Sequence, residues 1–152
     1  MAVDTLTKII VPLDGSDNAL RALKHAVALA QVADMELHLL HAYPVGSTVL
    51  MDLMHYPEIA KAKAEGQLRR AQEEEATRIY PDARKLIPEG LKVEEVSVNG
   101  DAAAEILDYA RQHPEAMIVM GTRGTSEYRD LVIGSVTNKV VHRATCPVTV
   151  IH

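Results

Sequence analysis

The sequence predicts an α/β domain whose core is an open, doubly wound sheet of five parallel strands in the order 3-2-1-4-5, with helices on both faces. Three observations predict it. Short apolar runs alternate with longer helical patterns along the whole chain. No hairpin turn separates two such runs, so each strand is joined to the next by a helical crossover. The first and fourth runs are continuously apolar, whereas the third and fifth alternate, so the two kinds of strand fit different places in a sheet.

The first strand is residues 8–13, with the unbroken run Ile9-Ile10-Val11. Ser16 is a natural N-cap, and Leu20, Leu23, Val27 and Ala30 form one apolar helical stripe to about Ala33. Residues 36–42, with Leu37, Leu39 and Leu40, form the second strand. Residues 43–56 carry no clear period and read as a loop. Residues 58–80 are rich in Ala, Glu, Lys, Gln and Arg, the composition of a long exposed helix; Pro81 is expected to kink or interrupt it, and Pro88-Glu89-Gly90 to end it. The third strand is residues 93–98, and Ala103, Ile106, Leu107 and Ala110 mark the third helix. Residues 116–120 form the fourth strand, 135–143 the fourth helix and 147–151 the last strand. Alternating strands three and five suit the edges, and right-handed crossovers then favour 3-2-1-4-5.

Composition bounds the function. The 152 residues, 47% apolar and 24% charged, suit one domain over residues 1–152. A net charge of −5 without a basic block argues against nucleic acid and anionic membranes as partners. Cys146 is the only cysteine, so no intrachain disulfide is expected and a reducing, cytoplasmic setting follows. The first residues lack a signal-peptide pattern, and no apolar stretch reaches the ~20 residues that membrane insertion needs. With no Trp and no Phe, a base-binding pocket must have mainly aliphatic walls.

In such a sheet, ligands bind at the carboxyl ends of the strands where the winding reverses, here between strands one and four. The first strand ends in Pro12-Leu13-Asp14-Gly15-Ser16 and the fourth in Met120-Gly121-Thr122-Arg123-Gly124-Thr125. The second lip continues to Gly134-Ser135-Val136-Thr137, where the fourth helix starts. Glycines at 121, 124 and 134 allow positive φ and close backbone approach, and a helix start adds free N–H groups and a positive dipole end. Phosphate suits this surface; a plain turn with Ser135 as a helix cap is the alternative on these residues alone. No Gly-x4-Gly-Lys-Ser/Thr motif, nucleophile elbow or paired acid and base occurs, so no catalytic residue is assigned.

Gly121, Gly124, Gly134 and Ser135 match Gly-x2-Gly-x9-Gly-Ser, and here the chain resembles the ATP-binding branch of the universal stress proteins. Residues 9–16, 118–121, 134–137 and 146–148 resemble the family's opening strand and loop, fourth strand, and closing helix and strand. The resemblance implies a Rossmann-like fold of the adenine nucleotide alpha hydrolase type. It places Asp14 beside the ribose or adenine with Pro12 and Leu13, Ala42 against adenine, and Met120 on the sugar–base side. Gly121, Arg123, Gly124, Gly134, Ser135, Val136 and Thr137 would surround the phosphates. It implies ATP, with Mg2+ held mostly by phosphates and water, in a nucleotide-dependent stress regulator or sensor. A slow ATPase and a structural dimer independent of nucleotide are the alternatives. It also implies a homodimer through the C-terminal strand; a further protein partner is left open.

The seven histidines show no mutual ligand spacing, so no metal site is assigned. His38 and His41, three apart on a strand, point to opposite faces. His41 ends a strand near the crevice. Cys146 reads as a packed thiol, the run Glu73-Glu74-Glu75 as a solvated helix face, and Tyr128 and Arg129 either cover the phosphates or lie in an exposed loop.

Overall fold

The computed structural model describes residues 5–44, 54–55, 58–122 and 133–152. Its elements are β1 (Lys8–Pro12), α1 (Asp17–Ala33), β2 (Glu36–Tyr43), α2 (Ile59–Arg84), β3 (Val93–Asn99), α3 (Ala102–Gln112), β4 (Ala116–Gly121), α4 (Ser135–Arg143) and β5 (Val148–Ile151). All four pairings are parallel, and the sheet order is β3-β2-β1-β4-β5. The expected order is the observed one.

Alternation along each strand builds two cores. Ile9 and Val11 of β1, with Leu37 and Leu39 of β2, pack beneath α1 and α2. Ile10 of β1 and Ile118 and Met120 of β4 pack on the opposite face, under α3 and α4. The central strands are buried on both sides, which is why their sequences are unbroken apolar runs. β3 and β5 stand at the edges and bury less.

One expectation changes at α2. The helix is not interrupted at Pro81 but continues through it to Arg84. Proline lacks only its own N–H, and the carbonyl it orphans lies in the last turns, where little helix remains to disrupt. Ile79, Tyr80 and Ala83, all buried against the sheet, hold the backbone there on either side of the proline. The remainder of α2 is largely exposed, as its composition predicts. Among the described residues no helix is long and apolar enough to cross a membrane.

Candidate functional site

A cleft of about 320 Å3 opens at the carboxyl ends of β1 and β4, where the winding reverses. Pro12, Leu13, Asp14, Ala42, Met120, Gly121, Gly134, Ser135, Val136 and Thr137 all line it. Arg123 and Gly124, with Tyr128 and Arg129, lie outside the described residues. Four further described residues line the cleft: Ala19, Leu40, Ala102 and Ile106. Their signal in the sequence is small size or an apolar helical position, which marks ordinary core equally well. The described wall is mainly aliphatic and includes no aromatic side chain.

The first lip is built by local hydrogen bonds. Gly15 has φ +82°, a left-handed turn that any side chain would strain, and it lets the chain reverse into α1. Asp14 Oδ1 accepts the Ser16 amide at 2.9 Å, and Ser16 Oγ accepts the Ala19 amide at 3.2 Å as the N-cap of α1. Asp14 therefore braces the turn with one oxygen while its side chain lines the cleft.

Beneath this lip sits a brace that sequence reasoning did not find. His41 is buried, with Nδ1 2.7 Å from the Leu13 carbonyl and Nε2 3.0 Å from Glu75 Oε2 of α2. Arg78 Nη2 donates to the same Glu75 oxygen at 2.8 Å. That hydrogen bond, reinforced by His41, holds the Glu75 carboxyl below its ordinary range. Glu75 in turn raises Arg78, which also feels the Asp14 charge. Both imidazole nitrogens thus face acceptors, tying β1's end to the long helix. Glu75 is not merely part of a solvated face.

On the second lip the glycines act differently from the expectation. Neither Gly121 nor Gly134 has positive φ. At Gly121 a Cβ would come within 2.9 Å of the Asn18 carbonyl oxygen, so glycine is needed where β4 meets the first turn of α1. Gly134 is extended (φ −66°, ψ 160°) as the N-cap of α4, and its N–H donates to Thr122 O at 2.5 Å. Thr137 donates its hydroxyl to the Gly121 carbonyl at 2.7 Å and so braces β4 against α4.

The helix starts differ in a way that bears on ligand binding. Side chains of Ser16 and Asp101 cap α1 and α3. α4 begins at glycine, with no side-chain cap, and its first turn opens on the cleft. Among the described residues nothing occupies its leading amides, which stand at the positive end of the helix dipole.

His38 and His41 do lie on opposite faces: His38 contacts Tyr109 of α3, and His41 contacts Glu75 of α2. Burial pushes the Cys146 thiol up, away from the reactive thiolate form.

The model of the Universal stress protein family matches residues 5–152. Universal stress protein YxiE of Bacillus subtilis is 33% identical over 148 residues, spanning 95% of this chain and 97% of that protein. The solved structure of universal stress protein UspA from Lactobacillus plantarum superposes with a TM-score of 0.67 at 30% identity, covering 97% of this chain and 99% of that one. The universal stress protein from Archaeoglobus fulgidus in complex with dAMP superposes with a TM-score of 0.59 at 23% identity, covering 96% and 98% of the two chains.

Proposed function

Starting from a chain that belongs to the universal stress protein family, we propose that its cleft binds ATP or a related adenine nucleotide and that the protein acts as a nucleotide-dependent stress-response regulator or sensor. The observation that carries this reading is the uncapped start of α4 facing an aliphatic cleft whose other lip is Asp14. Aliphatic walls suit the base, a carboxylate oxygen suits ribose hydroxyls, and free helix amides suit phosphate. The Archaeoglobus fulgidus neighbour in fold holds dAMP, in keeping with an adenine ligand. Asp14 is the only carboxylate on the described wall. Mg2+ would therefore be held mainly by the phosphates and water, its usual manner with nucleotides.

The ribose assignment has a direct test. Asp14→Ala is expected to cost about 1–3 kcal/mol of ATP affinity, the range for a hydrogen bond to a charged group. Against 2′,3′-dideoxy-ATP the same substitution should cost much less. Titration calorimetry that returned equal losses for both nucleotides would remove Asp14 from the ribose. Loss of the Ser16 bond is the competing effect, and circular dichroism of the variant controls for it.

The homodimer belongs to the same proposal. β5 is an edge strand, and partly buried Val148 and Val150 alternate with exposed Thr149 along it. Its outer backbone groups invite a second copy. Sedimentation at tens of micromolar, on the order expected for a modest interface, should show a dimer that Val150→Lys weakens. A wild-type protein that sediments only as monomer would refute the pairing.

A further inference from the structure

At the amino ends of the strands, opposite the cleft, three ligand-type side chains converge on the α3 face of the sheet. Glu36 and His38 are two apart on β2, so they project from the same face. Glu94 is the register partner of His38 on β3 and shares that face. Parallel pairing, not a loop, brings the three together.

His38 is only 2% exposed, yet its Nε2 points at two carboxylates, 3.2 Å from Glu36 Oε1 and 3.6 Å from Glu94 Oε2. The three ligand atoms all lie within 4.8 Å of one another. We propose that Glu36, His38 and Glu94 form a binding site for a divalent first-row cation of the zinc type, with water completing its shell on the solvent side.

The spacing supports this. Ligands of one tetrahedral zinc ion, with bonds of about 2.0–2.2 Å, sit roughly 3.4 Å apart, close to the two observed His–Glu separations. The donor set selects the metal class, because an imidazole with carboxylates suits zinc, whereas magnesium and calcium take oxygen ligands. Charge points the same way. Among the described residues Glu36 and Glu94 have no lysine or arginine within ion-pair distance, and both pair only with His38. The neighbouring ammonium, Lys8 Nζ, is already 2.7 Å from Glu115 Oε1 and holds that carboxyl down to about 2.

The outer shell is also in place. A metal-bound histidine characteristically donates its second N–H to an oxygen, which fixes the ring. His38 Nδ1 lies 2.7 Å from the Tyr109 hydroxyl. A phenol hydroxyl can both donate and accept. Without an ion, Nδ1 lies against the Tyr109 hydroxyl and Nε2 against Glu36 Oε1. With an ion on Nε2, Nδ1–H donates to the phenol oxygen.

The test is calorimetric titration of nucleotide-free protein with Zn2+ alone at neutral pH. Wild type should bind one ion per chain. Glu94→Gln, at an exposed position that leaves packing intact, should weaken binding at least tenfold. Tyr109→Phe removes only the outer-shell oxygen and should weaken it about 10–100-fold. Absence of binding would overturn the proposal, and binding equally tight in Glu94→Gln would mean an adventitious ion only, held by other histidines, and would overturn it as well. Neither result bears on the nucleotide cleft, which lies at the other end of the sheet.

Discussion

Tyr80→Ala is expected to lower folding stability by about 3–5 kcal/mol, the cost of deleting a large buried aromatic side chain. Tyr80 is 1% exposed, and its hydroxyl lies 2.8 Å from the Val96 carbonyl and 3.2 Å from Ser97 Oγ on β3. The ring crosses above β2 to reach the edge strand, and α2 has few other fully buried residues to hold it there. Tyr80→Phe keeps the ring and removes the hydroxyl, so its cost should be near 1 kcal/mol, the net worth of one hydrogen bond. Urea unfolding of wild type and both variants separates the two contributions. Equal losses in the two variants would show that the ring does not anchor α2. The anchor also serves the cleft, because Glu75 on the same helix braces Leu13 through His41.

Strand textures, together with right-handed crossovers, were enough to read the sheet order, since continuous apolar runs require two covered faces and alternating runs require one. The lips of the cleft were legible for a similar reason: unusual residues fall at the carboxyl ends of the two strands flanking the reversal. What could not be read were features set by register and by helix packing. The equivalence of Glu94 with His38 depends on how β3 slides along β2, and spacing along one chain carries no trace of it. His41 reads as a strand residue until α2 places Glu75 beneath it. Gly121 illustrates a subtler limit. Its glycine is legible in the sequence, but the reason is the Asn18 carbonyl of α1, a contact across the fold. At Pro81 a local rule yields to buried neighbours on both sides.

The central claim is that α4 presents free amides to a nucleotide's phosphates, and comparing ATP with adenosine tests it most directly. Two amide–phosphate hydrogen bonds at about 1.5–3 kcal/mol each make ATP at least ~100-fold tighter than adenosine. Ser135→Pro isolates the helix start. Proline suits the first helical position, and Gly134 is already in the extended conformation that precedes proline comfortably. The substitution removes one N–H and one hydroxyl while keeping the helix. Calorimetry should show ATP affinity falling about tenfold or more, the worth of one such bond, with adenosine affinity unchanged. If wild type binds ATP no more tightly than adenosine, or folded Ser135→Pro leaves the difference intact, the α4 amides do not hold phosphate and the account is wrong.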